Sequence, residues 1–198
     1  MTTPARSPLR PITMAMAAGA LCAAASASAL AQAHQASDPA LDSARAECES
    51  AAHASAPPAR ALGACDLVLR APGQTSSARA RALTNRGVIA LKRNNVGPAH
   101  EDLEQAVQYD PDLASAWLSL SAARIRAGDS TGAIEAAREA GERGADRSLV
   151  TFNTAIALER AGRYDEAYEA YAEAARLDPD NALLAAQPAR FTRHQGAS

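Results

Sequence analysis

Few residues in this chain could do chemistry. They are the cysteines Cys48 and Cys65, four scattered histidines and some paired carboxylates. His34 and His53 are the histidines nearest the two cysteines, and their spacing suits no common zinc site. His100 opens a helical stretch beside Glu101 and Asp102, and Asp165 stands next to Glu166. Negative charge at a helix amino end matches the helix dipole, so both clusters read as helix starts. His194 lies in the tail. The chain holds no phosphate-binding loop, no Gly-x-Ser-x-Gly and no His-Glu-x-x-His. No nucleophile, base and orienting group come together. The expectation is a protein that is not an enzyme, with no metal and no small-molecule cofactor. A redox role for Cys48 and Cys65 is the one catalytic reading left.

The two cysteines need elements to bring them together. Residues 38–54 read as a helix with Asp38 as cap and Pro39 in its first turn. Pro57-Pro58 marks a turn, residues 59–69 read as a second helix, and Pro72-Gly73 ends it. Facing helices would bring Cys48 and Cys65 within reach of each other, either as a disulfide or as two buried thiols. Beyond them the chain repeats itself. Tyr109-Asp110-Pro111-Asp112 returns as Leu177-Asp178-Pro179-Asp180, and Arg126-Ala127-Gly128 returns as Arg160-Ala161-Gly162, on a period of 34 residues. A fixed period of this size means stacked units, none of which can bury its apolar face alone. Each unit reads as two helices and two turns. Thr75, Ser76 or Ser77 can cap the first repeat helix, and Asp129 or Ser130 a later one. Gly128 accepts the left-handed backbone past a helix end. Pro111 and Pro179 are expected in the first turn of the helix that comes after them.

These residues resemble the tetratricopeptide repeat, with units at 80–113, 114–147 and 148–181. Gly87, Ser121 and Ala155 stand at the family's small position. Ala99, Ala133 and Ala167, then Ala106, Ala140 and Ala174, stand at its two alanine positions, and Trp117 and the Asp-Pro pairs match as well. Small residues at these steps let paired helices approach closely. Arg86, Arg124 and Thr151 depart from usually apolar positions, and Ala145 replaces a proline. Looser packing is expected there. The resemblance implies an all-α, right-handed superhelical stack of helix-turn-helix hairpins. Residues 34–74 form a degenerate hairpin ahead of it, and residues 182–198 a short capping helix, over 180–187, and a tail. Leu183 and Leu184 are expected to cover the last apolar face incompletely, leaving room for self-association through the carboxyl-terminal end.

Residues 1–33 read as a signal peptide. Arg6 and Arg10 precede an uncharged stretch, and small residues offer cleavage after Ala31 or Ala33. An uncleaved anchor in the inner membrane is the competing reading. Leu21 before Cys22 argues against lipidation. The expected location is the bacterial periplasm, which permits a disulfide. Without residues 1–33 the chain keeps 18 basic and 22 acidic residues. That mild acidity gives no reason to expect nucleic acid or an anionic membrane as partner.

In the resembled family the first helix of each unit lines a concave groove. The matching positions here include Arg81, Thr84, Val88 and Lys92, then Leu118, Ala122 and Arg126, then Phe152, Ile156 and Arg160. Lys92, Arg126 and Arg160 recur every 34 residues, so stacking should set them in one row. Such a row would hold an acidic side chain or terminal carboxylate of a protein or peptide partner. It would equally suit cations near helix carboxyl ends. Asn85 and Asn153 share a position and read as solvated polar groups, and the carboxylate-clamping lysines and arginine of some family members are absent. The functional expectation is a non-catalytic adaptor or scaffold that binds in the groove. The competing expectation is a structural subunit of an envelope assembly, using its convex face or terminal helix.

Overall fold

Nine helices and no strand make up the described part, residues 38–190, of the computed structural model. Residues 1–37, with the expected leader and its expected cleavage sites, and the tail beyond residue 190 lie outside the described residues. The helices are α1 Pro39–His53, α2 Ala61–Arg70, α3 Ser76–Lys92, α4 Val96–Tyr109, α5 Ala114–Ala127, α6 Ser130–Glu142, α7 Arg147–Arg160, α8 Tyr164–Leu177 and α9 Ala182–Ala185.

Local chemistry sets these boundaries. Thr75 Oγ1 accepts from the Ala78 amide at 3.1 Å, and Asp129 accepts from Gly132 at 2.9 Å. Asp146 accepts from Ser148 at 2.8 Å and caps α7. Such caps satisfy donors that a helix start leaves unpaired. Helix α5 stops at Gly128, whose φ is +86°. Asn94 takes the same left-handed backbone after α3, with φ +64°, which its short polar side chain tolerates.

One expectation about the prolines is corrected. Pro111 and Pro179 sit in turns, and the next helices begin only at Ala114 and Ala182. The turn closes on itself, because the Leu113 amide donates to the Asp110 carbonyl at 3.2 Å. The Pro111 carbonyl then accepts from Trp117 Nε1 at 2.8 Å and from Arg143. Arg143 also lies 4.9 Å from the centre of the Trp117 ring. The proline thus anchors a side-chain clasp rather than opening a helix. Gly97-Pro98 is also displaced from the expected turn, since α4 already begins at Val96.

Helices pair within each repeat, α3 with α4, α5 with α6 and α7 with α8, and the pairs stack on one another. Close approach depends on small residues. Ala99, Ala106, Ala133, Ala140, Ala167 and Ala174 are fully buried. A Cβ at Gly87 would stand 2.7 Å from Leu103 Cγ and 3.3 Å from the Ala99 carbonyl oxygen, so glycine is what lets α3 meet α4.

Packing is not loose at Arg86, contrary to expectation. Its guanidinium donates to both oxygens of Asp102 on α4, at 2.8 and 2.6 Å, and to Asp66 on α2 at 2.5 Å. Arg124 donates to the Gly132 carbonyl at 3.0 Å. The apolar position is replaced by a charge that its neighbours match. Asp102 is therefore a buried ion-pair partner, and the reading of residues 100–102 as a helix start is corrected: α4 begins at Val96 and its first turn holds no acidic residue.

Helices α1 and α2 continue the same architecture. Cys48 and Cys65 are joined with an S–S distance of 2.07 Å. Both sulfurs are buried in a cluster that also takes Ala82 and Ile89 of α3. The hairpin and the first repeat therefore share one core. At the far end α9 is four residues long, shorter than expected. Leu184 is buried, whereas Leu183 is 60% exposed, so one leucine covers the last repeat and the other faces outward.

Candidate functional site: the concave face

The first helices of the units stand side by side, α1 on α3, α3 on α5 and α5 on α7. Their outward side chains share one wall. Asn153 Nδ2 on α7 donates to the Leu118 carbonyl on α5 at 3.2 Å, so this asparagine ties neighbouring repeats rather than being solvated.

The repeated cations divide. Lys92 Nζ donates to the Ala52 and Ala54 carbonyls at 2.6 and 2.8 Å, at the carboxyl end of α1. Unpaired carbonyls there carry the negative end of the helix dipole. Arg126 donates to Asn94 Oδ1 at 2.7 Å, in the turn of the preceding repeat. Both cations reach backward and fasten their unit to the one before it. Arg160 is exposed at the end of α7.

The other groove positions differ in role. Thr84 is buried and its hydroxyl donates to the Ala80 carbonyl at 2.8 Å. Val88 packs against the core of the amino-terminal hairpin, and Ala122 against the core of the first and second repeats. Leu118 is half-buried. Arg81 is exposed and lines a cleft of about 510 Å³ with Glu49, His53, Asn85, Ser115 and Ser119.

A second cleft lies at the carboxyl-terminal end, between α7, α8 and α9. Phe152, Ile156, Arg160, Tyr164 and Leu183 line it, in a volume of about 680 Å³. Phe152 meets Tyr171 edge-on at 5.8 Å between ring centres. The Tyr171 hydroxyl donates to Glu159 at 2.6 Å, and Arg190 donates to the same carboxylate at 3.1 Å. Burial, then the bond to Glu159, pushes the Tyr171 phenol well above its usual range. Tyr164 and Arg190 lie outside the groove positions that sequence reasoning selects. They come from the second helix and the cap, which fold over the open end.

Charge separates by layer. Helices α3, α5 and α7 carry eight basic residues and a single acidic one, Glu159. Helices α4, α6 and α8 carry ten acidic residues and two basic ones. Within the three repeats the first helices are therefore rich in cations and the second in anions, with Arg86 and Arg124 engaged between helices, whereas α1 adds Asp42, Glu47 and Glu49 against Arg45. Among the described residues no group of histidine, cysteine and carboxylate side chains could hold a metal ion.

This fold and this surface define a helical-hairpin solenoid with an extended concave recognition face. Family profiles for the tetratricopeptide repeat match residues 84–148 and 149–181. The chain is a tetratricopeptide repeat protein. Mouse superkiller complex protein 3 is 33% identical over 106 residues, which are 52% of this chain and 7% of that protein. The small glutamine-rich tetratricopeptide repeat-containing protein 2 of Mycosarcoma maydis is 28% identical over 113 residues, 57% of this chain and 32% of its own. The chain thus spans under a third of either relative. A solved structure of MamA superposes with a TM-score of 0.60 at 20% identity, covering 81% of this chain and 89% of that one. At that identity the likeness speaks to the fold alone. The fold supports protein–protein interaction as the class of activity.

Proposed function

We propose that this chain is a non-catalytic adaptor of the bacterial periplasm, exported through a cleaved leader, which takes a segment of a protein partner on its concave face. One observation carries the binding reading. The first helices form a continuous wall whose middle is apolar at Val88, Leu118, Phe152 and Ile156 and along which Arg81, Arg126 and Arg160 are exposed. Stacked repeats offer such walls to extended partners. The leader-like residues 1–33 and the bonded pair Cys48–Cys65 support an oxidising compartment. An envelope-assembly subunit is the second reading, favoured by the exposure of Tyr164 at 62% and Leu183 at 60%.

The test places a photo-crosslinking residue at Leu118 on the concave wall, or at Gln105 on the outer layer, in the full chain expressed in its host. Partner cross-links are expected from Leu118 only. Cross-links from Gln105 alone would transfer the function to the convex face and sink the adaptor reading. Activity of a reporter fused after residue 190, active only outside the cytoplasm, is expected; a silent, well-expressed fusion would reject export.

A further inference from the structure

Arg126 and Arg160 hold the same position in successive repeats, yet their surroundings differ at one residue. Arg126 donates to Asn94 Oδ1 at 2.7 Å. Stepping forward one period of 34, the residue equivalent to Asn94 is Gly128, which has no side chain to accept. Both residues take the left-handed backbone, at φ +64° and +86°. The last repeat therefore lacks the acceptor that occupies its neighbour's arginine. Among the described residues the Arg160 side chain has no hydrogen-bonding or ion-pair partner.

Arg160 opens onto the carboxyl-terminal cleft, beside Phe152, Tyr164 and Leu183. Two of these side chains are largely bare, Tyr164 at 62% and Leu183 at 60% exposure. The nearby carboxylate does not compete for Arg160, because Glu159 already accepts from Tyr171 and Arg190. The site thus joins an uncommitted guanidinium to an apolar trough whose one carboxylate, Glu159, is engaged by Tyr171 and Arg190.

We propose, resting on the concave-face reading above, that this end of the wall docks a partner-protein segment in which an acidic side chain adjoins a large apolar one. The carboxylate pairs with Arg160, and the apolar side chain lies among Phe152, Tyr164 and Leu183. Charge complementarity selects this occupant. The chain's own residues 191–198 bring Arg193 and His194 and no acidic side chain, so they match the site poorly.

The test uses the full chain and a labelled synthetic peptide, Glu-Leu-Glu flanked by glycine and serine, with fluorescence anisotropy as the readout. Arg160→Gln is expected to weaken binding about tenfold, the scale of one charge-assisted pair. Gly128→Asn is expected to weaken it in the same direction without touching the cleft, because the new side chain supplies the acceptor that Arg126 has. Asn94 shows that asparagine fits this backbone, and circular dichroism checks the fold. Arg138→Gln, on the outer layer and away from the wall, is expected to bind as the parent does. A peptide with glutamine for glutamate should bind weakly and ignore Arg160→Gln. Parent affinity in both Arg160→Gln and Gly128→Asn would overturn the proposal, and so would no binding of the peptide at all. Loss with Arg81→Gln instead, at the other end of the wall, would overturn it while leaving the concave-face adaptor intact. Concentration-dependent self-association abolished by Leu183→Ala would make a second copy the occupant and overturn it too.

Discussion

Arg86 is one of the places where the chain departs from the pattern of its family, and the structure shows the departure to be compensated. Its hydrogen bonds to Asp102, first, and then to Asp66 hold the guanidinium further into its charged form, against the cost of burial. Removing one partner of such a group leaves the other charge desolvated and unmatched. Arg86→Met is therefore expected to cost roughly 2 kcal/mol, less than a fully buried pair would because Arg86 and Asp66 keep some contact with water. The check is a lowered urea midpoint at unchanged slope. Adding Asp102→Leu should recover part of the loss, since both buried charges then disappear together. No sequence pattern pairs Arg86 with Asp102. They lie 16 residues apart on different helices, and the match exists only once α3 and α4 pack.

At the scale of the element, helix ends depend on a few identifiable groups. Asp146 caps α7, and the Ser148 hydroxyl, then the Ser148 amide, hold its carboxyl below the usual carboxylate range. A lowered folded-state pKa contributes stability above the unfolded value, about 3.9, and loses it as pH falls through the folded value. Thermal unfolding measured from pH 6 down to roughly pH 2 should show the parent losing part of its margin. Asp146→Asn, which keeps an accepting oxygen, should lose less over the same window. The helices themselves are legible in the sequence, because apolar spacing and the Asp, Gly and Pro punctuation act locally. The place of Pro111 is not, for a non-local reason: its carbonyl is bound by Trp117 and Arg143, the latter from the end of the next helix. The cation row is legible as a period. Its division between fastening and free is not, because that depends on what Ala52, Asn94 and Gly128 offer across repeat boundaries.

At the scale of the whole molecule, the bonded pair Cys48–Cys65 closes the first hairpin across a separation of 17 residues. A loop of that size contributes on the order of 3 kcal/mol by constraining the unfolded chain. The double variant Cys48→Ser, Cys65→Ser should unfold at lower denaturant by about that amount, and should still take a partner if the cysteines are structural. Equal stability with and without the bond would remove the link from the account. The clefts at the two ends of the wall illustrate what sequence alone leaves open. The amino-terminal cleft draws on α1 and the carboxyl-terminal one on α9, and neither helix carries the repeat signature.

The ties between the first hairpin and the first repeat bear on how the protein can be cut. Ile89 and Ala82 share their apolar shell with Cys48 and Cys65, Arg86 leans on Asp66, and Lys92 clasps the end of α1. A fragment trimmed to the recognisable repeats would carry a raw, greasy face where α1 and α2 had been, with Lys92 orphaned and Arg86 left to Asp102 alone. Whoever dissects this molecule should place the scissors before Pro39, not at the border where family likeness begins.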